Sequence, residues 1–210
     1  MSNVVSSVSP AISSQINHYC SPKLFFPWAD KSYQNPKKSE NKYQLLFWGF
    51  INYRLDYEYL KGLVEYSNLM SFKLEIILVG PMPKELKEIK KIKKIPKISF
   101  KPTTALEELS LTNVFGAIIP YRDTNNPDIE PIFLPNKGLQ LLARGLPLVI
   151  TGMPNFIVAP FVFRLGQSLE EDLIILANVK KNFENLQKPI KRFVNQNSSR
   201  NRLDQILEWV

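Results

Sequence analysis

The sequence predicts an α/β domain: a doubly wound, Rossmann-like parallel sheet covered by helices on both faces. Short runs such as Leu-Glu-Ile-Ile-Leu-Val at 74–79 and Leu-Val-Ile-Thr at 148–151 are apolar almost throughout rather than alternating, the mark of strands buried on both sides. Helical patterns separate these runs, and Gly49 and Gly80-Pro81 close two of them. Buried strands joined by helical crossovers pair in parallel, and right-handed crossovers wind the helices onto both faces.

Taken in order, residues 1–23 read as a polar helix fragment, with Ser9 as cap and Pro10 in the first turn. Residues 24–26 form a small strand. Residues 31–42, with Asn35-Pro36 and four lysines, have the composition of an exposed connector, and a boundary falls near residue 42. Residues 44–50 read as a strand, 56–69 as a helix and 74–79 as a strand. Residues 84–94 carry Leu86, Ile89 and Ile92 at three-residue spacing, one buried helical stripe. Short strands follow at 98–100, 117–120 and 148–151, separated by helices near 106–112 and 138–144. Residues 156–163 are apolar and irregular; a helix runs from 168 to about 181, then a basic linker, then a last helix over 200–209. Leu203, Ile206, Leu207 and Val210 share a face of that helix, which is expected to dock on the sheet or on the N-terminal fragment. Three regions result: 1–42, a fragment plus linker; 43–185, the sheet domain; and 186–210, linker plus docking helix.

At 210 residues and 44% hydrophobic, the chain has enough apolar material for one core of ordinary size. The single Cys20 has no internal disulfide partner, and no leader pattern or membrane-length apolar run is evident. A cytoplasmic protein, free or peripheral at the inner face of the membrane, is expected. The net charge of +8 is uneven, because the block from Lys84 to Lys101 holds eight lysines against two glutamates. Such a block reads as a solvated helix face, or as a surface drawn to an anionic membrane leaflet. With no zinc-ligand spacing, aromatic-glycine RNA motif or recognition helix beside it, nucleic acid is not an expected partner.

The most informative stretch is 134–154, where a helix start, an apolar helix, a Gly stop and a buried strand follow one another. In a parallel domain that order sets the free N–H groups of a helix N-terminus at the carboxyl edge of the sheet, where anions bind. Asn136 is a good cap. Lys137 and Gly138 fall in the first turn, where a cation opposes the helix dipole by roughly 0.3–1 kcal/mol. Lys137 therefore either faces a bound anion or extends into solvent. Gly49, after the first strand of the alternation, marks either a tight turn or a close approach of backbone to ligand. Arg54 either reaches a pyrophosphate or pairs with Asp56. His18 reads as a surface residue. The acidic stretch from Asp123 to Glu130 has the composition of an active-site loop or of a solvated one. No nucleophile–base set can be assembled, so no catalytic residue is assigned, and no metal or cofactor is expected.

In order and spacing, Leu46-Phe-Trp-Gly-Phe-Ile-Asn-Tyr-Arg-Leu-Asp56, Ile77-Leu-Val-Gly-Pro81, Ala117-Ile-Ile-Pro-Tyr-Arg122 and Pro135-Asn-Lys-Gly-Leu-Gln-Leu-Leu-Ala-Arg-Gly-Leu-Pro-Leu-Val-Ile150 resemble the C-terminal domain of GT-B glycosyltransferases of the bacterial polysaccharide-building kind. Val4-Val-Ser-Ser-Val-Ser-Pro-Ala-Ile is similar to the last strand and helix of their N-terminal domain, and Trp28-Ala-Asp30 to the segment leading into the linker. The resemblance implies that this domain binds a nucleotide-sugar donor while an N-terminal domain binds the acceptor, with transfer in the cleft between them. It implies that Gly49 lets backbone approach the diphosphate, that Arg54 and Lys137 meet phosphate, and that Gln140 meets the ribose. Tyr121, Asn136 and Gly138 complete the implied nucleotide-sugar contacts. The family usually has glutamate at the position of Gln140; a neutral amide replaces a charge-assisted bond of about 1.5–3 kcal/mol with one of about 0.5–1.5 kcal/mol. Two packed domains need far more than 210 residues, so the resemblance implies a donor half that needs a separate acceptor-binding half for transfer. Two other readings stand beside it: a non-catalytic binding or assembly module using the lysine block against an anionic membrane or a partner protein, and an unrelated parallel α/β enzyme of nucleotide metabolism. The missing triple-glycine and Walker loops speak against the last.

Overall fold

The computed structural model describes residues 4–29, 33–34, 43–70, 72–83, 87–122 and 127–209. At the N-terminus, β1 (Ser6–Ser7), α1 (Pro10–Ile16) and β2 (Lys23–Leu24) make a small parallel β–α–β unit. Ser9 caps α1, its hydroxyl accepting from the Ile12 N–H at 3.1 Å, and Pro10 opens the first turn as its fixed φ favours.

The alternation then follows: β3 (Tyr43–Trp48), α2 (Tyr57–Leu69), β4 (Leu74–Val79), α3 (Lys87–Ile92), β5 (Ile98–Lys101), β6 (Val114–Pro120), α4 (Asn136–Ala143), β7 (Leu148–Thr151) and β8 (Val162–Arg164). Six strands form one sheet in the order β5-β4-β3-β6-β7-β8, every neighbouring pair parallel. The chain steps outward from β3 to β5, returns to the middle at β6, and steps outward the other way to β8. α2 packs with α3 and with α5 (Leu169–Lys181), and α4 with α6 (Phe183–Gln196), as expected where right-handed crossovers on either side of the switch put their helices on opposite faces. The strand order reverses between β3 and β6, which makes the carboxyl ends of those two strands the switch point of the sheet.

The both-sides-buried reading of the strands holds in the core, where Leu45, Phe47, Ile76, Leu78, Ala117, Ile118, Ile119, Leu148 and Val149 are fully buried. Asp56 caps α2, its carboxylate accepting from the Tyr59 N–H at 2.9 Å. The lysine block, which begins at Lys84, and the acidic stretch, which begins at Asp123, both start outside the described residues; the connector at 31–42 lies outside them apart from Tyr33 and Gln34.

Four expectations are corrected. The helix near 106–112 is a single 3-10 turn at Leu106–Glu108, ended by Leu109 turning extended. The irregular stretch at 156–163 runs into β8, which pairs with β7. The basic linker is instead a helix, α6 (Phe183–Gln196), following α5 (Leu169–Lys181) after one shared cap, Asn182. Its lysines and Pro189 suggest a linker, yet Phe183, Leu186, Ile190 and Val194 fall at helical spacing and are buried. The final helix, α7 (Ser199–Leu207), docks on the N-terminal fragment through polar groups and its trailing Trp209, not through the apolar face read from the sequence: Leu203 and Leu207 are 55% and 65% exposed. Arg202 Nε donates to the Phe26 carbonyl at 3.0 Å, Gln205 Nε2 to that of Leu24 at 3.2 Å, and the Trp209 ring meets Phe25 at 5.6 Å.

Candidate functional site

The carboxyl edge of the sheet around the switch between β3 and β6 is built by glycines. Gly49 leaves β3 with φ +139° and Gly80 leaves β4 with φ +146°, conformations that side chains resist. A Cβ on Gly80 would lie 2.0 Å from the Gly49 carbonyl oxygen, so the two strand ends touch backbone to backbone. Beyond β7, a Cβ on Gly152 would meet the carbonyl oxygens of Tyr121 and Arg122 at 2.3 and 2.4 Å. Thr151 Oγ1 donates to that Tyr121 carbonyl at 2.8 Å.

The loop after Gly49 is tied to the end of β6. Asp56 N–H donates to the Pro120 carbonyl at 2.8 Å, and Arg122 N–H to the Arg54 carbonyl at 2.9 Å, which sets Arg54 beside Tyr121. Asn52 fixes the turn by accepting from the Arg54 N–H at 3.0 Å. Arg54 forms an ion pair with Asp128 at 2.9 Å, not with Asp56, whose side chain caps α2. Its Nε is buried and meets no acceptor among the described residues.

Lys137 enters from α4. It does not extend into solvent: its ammonium donates to the Tyr121 hydroxyl at 2.6 Å and lies 4.6 Å from the Tyr121 ring centroid and 4.7 Å from that of Phe47. Its Cδ is 3.5 Å from where a Gly49 side chain would begin. Burial, and secondarily the charge of Arg54, push the Lys137 ammonium down to about 8. Burial also pushes the Tyr121 hydroxyl up, against the opposing pull of Arg54.

Gly49, Arg54, Tyr121 and Lys137 therefore converge on one corner. The other three candidates lie along α4. Pro135, not Asn136, occupies the N-cap, because its extended backbone presents the carbonyl that accepts from Gly138 N–H at 2.8 Å; no side chain caps the helix. Asn136, at the first helical position, is exposed and accepts from Gln140 Nε2 at 3.5 Å one turn on. Gly138 is buried, its open side 3.5 Å from Leu148 of β7, which lets α4 lie close on the sheet. Sequence reasoning missed Phe47, Gly80 and Gly152 as parts of this corner, and reached Asp128 only within the acidic stretch read as an active-site loop or a solvated one. A signal existed for the glycines: β3, β4 and β7 each end in glycine at the same edge of the sheet.

Chemically, the corner offers two cations, one with an unmet donor, beside an uncapped helix N-terminus and a backbone made approachable by Gly49. That arrangement suits a compact, multiply charged oxyanion. Among the described residues no group of three or more His, Cys, Asp or Glu side chains could hold a metal ion.

No family model matches the chain, and no curated protein does. Solved structures match over its whole length. The pneumococcal O-GlcNAc transferase GtfA, in complex with UDP and GlcNAc, superposes with a TM-score of 0.63 at 11% identity, covering 98% of this chain and 44% of its own. HepE of Anabaena, in complex with UDP-glucose, gives 0.66 at 12% identity, covering 99% of this chain and 63% of its own. The lipopolysaccharide outer core galactosyltransferase WaaB gives 0.62 at 10% identity, covering 100% of this chain and 63% of its own. The chain shares the fold of part of these GT-B glycosyltransferases. The chain spans roughly half to two thirds of the length of these neighbours. No helix among the described residues is long and apolar enough to cross a membrane.

Proposed function

We propose that this chain is the nucleotide-sugar donor-binding half of a glycosyltransferase for polysaccharide or glycan assembly, and that transfer needs an acceptor-binding half. The convergence of Lys137 and Arg54 on Gly49 at the switch point carries the reading. In glycosyl transfer the bond from the sugar's anomeric carbon to the diphosphate breaks and negative charge grows on the leaving oxygen. Two fixed cations in a partly desolvated corner stabilise that charge more than water does. Solved neighbours that hold UDP or UDP-glucose make UDP the first probe.

Calorimetry with UDP-, GDP- and ADP-linked sugars on the folded chain tests it. Saturable binding of one series, weakened at least tenfold by Lys137→Met, is expected; absence of binding by all three overturns the reading. Activity is then sought by adding an acceptor-binding polypeptide.

A second reading attaches to α3 and the turn after it. Lys90, Lys93 and Lys94 are exposed, and none pairs with a carboxylate among the described residues. An anionic membrane surface fits them, and binding to phosphatidylglycerol vesicles that collapses with added salt tests it.

A further inference from the structure

Building on the donor-binding reading above, we propose that the apolar cavity between α1 and the start of α4 seats the acetamido group of the sugar, so that the donor is a nucleotide-linked N-acetylamino sugar rather than a plain hexose.

A cavity of about 300 Å³ lies where the N-terminal unit meets the loop leading into α4. Val8 and Ile12 wall it from the β1–α1 side, Pro27 from the segment after β2, and Ile132 and Phe133 from the loop, with Asn136 also on its lining. Among the described lining residues only Ser9 and Asn136 are polar. Ser9 is buried, and its hydroxyl is engaged in capping α1, where it accepts from the Ile12 N–H at 3.1 Å. The walls are held in place from both sides. Phe26 stacks on Phe133 with ring centroids 5.1 Å apart, the Ile157 N–H donates to the Phe133 carbonyl at 2.9 Å, and Asn155 Nδ2 donates to the Glu130 carbonyl at 2.8 Å. A fixed cavity of this size stands at the small end of ligand pockets and suits a single ring or one substituent of it, not a lipid chain or a peptide.

The cavity is continuous with the oxyanion corner through the chain itself: Pro135 and Asn136 border it, and the next residue, Lys137, reaches the corner. A donor whose diphosphate rests at the start of α4 carries its sugar directly on the outer phosphate, which brings the ring alongside residues 132–136. A hydroxyl entering among Val8, Ile12 and Ile132 loses its water and gains little in return, which counts against a hexose bearing only hydroxyls there. An acetamido group matches both parts of the lining. Its methyl buries against the aliphatic walls, and its amide meets the side chain of Asn136, which both donates and accepts. A bare deoxy carbon would fill apolar space and make no use of Asn136.

Two measurements test this. In the first, calorimetry on this chain compares UDP, UDP-glucose, UDP-N-acetylglucosamine and a UDP-linked 6-deoxyhexose. UDP-N-acetylglucosamine should bind at least about tenfold more tightly than UDP-glucose, the discrimination that a small apolar pocket supplies. Val8, 54% exposed, lies at the cavity and outside the core, so Val8→Trp should fill the space and remove that preference. UDP itself, which has no sugar, should bind the variant within about twofold of the unaltered chain, and this also reports that the variant is folded. In the second measurement, on the unaltered chain with labelled valine and isoleucine methyls, the acetyl methyl of bound UDP-N-acetylglucosamine should show nuclear Overhauser contacts to Val8, Ile12 and Ile132.

Equal affinity for UDP-glucose and UDP-N-acetylglucosamine, a tighter grip on the 6-deoxyhexose, a preference untouched by Val8→Trp, or an acetyl methyl without contacts to these side chains overturns the proposal and leaves the donor-binding reading intact. Failure of all four UDP compounds to bind overturns it as well, whereas the donor-binding reading falls only if GDP- and ADP-linked sugars fail too.

Discussion

Replacing Lys137 with methionine should make the unliganded protein more stable at neutral pH. At pH 7 the ammonium is charged in both the folded and the unfolded chain, so folding carries a cation out of water. A fall from 10.5 to about 8, at about 1.4 kcal/mol per pH unit, makes that transfer unfavourable by about 3 kcal/mol. Methionine has nearly the same length, packs softly against aromatics and carries no charge. Lys137→Met should therefore gain up to about 3 kcal/mol, read as a higher urea midpoint with an unchanged slope. The sign with pH follows from the direction of the shift. Between about pH 8 and pH 10.5 the unfolded chain keeps a proton that the folded chain has lost, so wild-type stability rises across that window and the advantage of the variant closes. A variant that is less stable at pH 7, or a gap that stays constant up to about pH 10, would refute the account of Lys137 as a desolvated cation. The same substitution should abolish tight UDP binding, stability and function moving in opposite directions.

Three further outcomes follow from the packing. Gly80→Ala should cost roughly 2–4 kcal/mol in chemical denaturation and weaken UDP binding as well, because its Cβ would drive the Gly49 carbonyl from 2.0 Å out of the corner. Asp172 is fully buried and accepts from Tyr59 Oη at 2.7 Å and from Gly166 N–H at 2.9 Å. Asp172→Ala should therefore lose roughly 2–4 kcal/mol and Tyr59→Phe about 1–2 kcal/mol, with the double variant falling short of their sum. Gln140→Glu should tighten nucleotide-sugar binding by about tenfold, measured by calorimetry, if this side chain meets the ribose; an unchanged affinity separates Gln140 from the ligand.

The sheet was legible because strands buried on both faces carry an unbroken apolar signal, which Leu74–Val79 and Leu148–Thr151 show in full. α6 was hidden by composition: it carries Lys188, Lys191 and Arg192 and contains Pro189, which read together as a basic linker although its apolar positions fall at helical spacing. β8 is only three residues long, too short for any period to register. At the corner, Lys137 and Arg54 could be singled out by residue type and local context. The partners that define their electrostatics, Phe47, Tyr121 and Asp128, are brought to them by the strand order, which local sequence does not encode. The placement of Lys137 under two rings is likewise a property of β3, β6 and α4 meeting, and no single segment announces it.

The grip of α7 on residues 24–29 joins positions about 180 apart in the chain. Closing so long a loop is entropically costly until the sheet between has formed, so this clasp is a late event in folding and an early one in unfolding. A protease should therefore trim the two extremities in concert, leaving the six-stranded sheet as the resistant fragment.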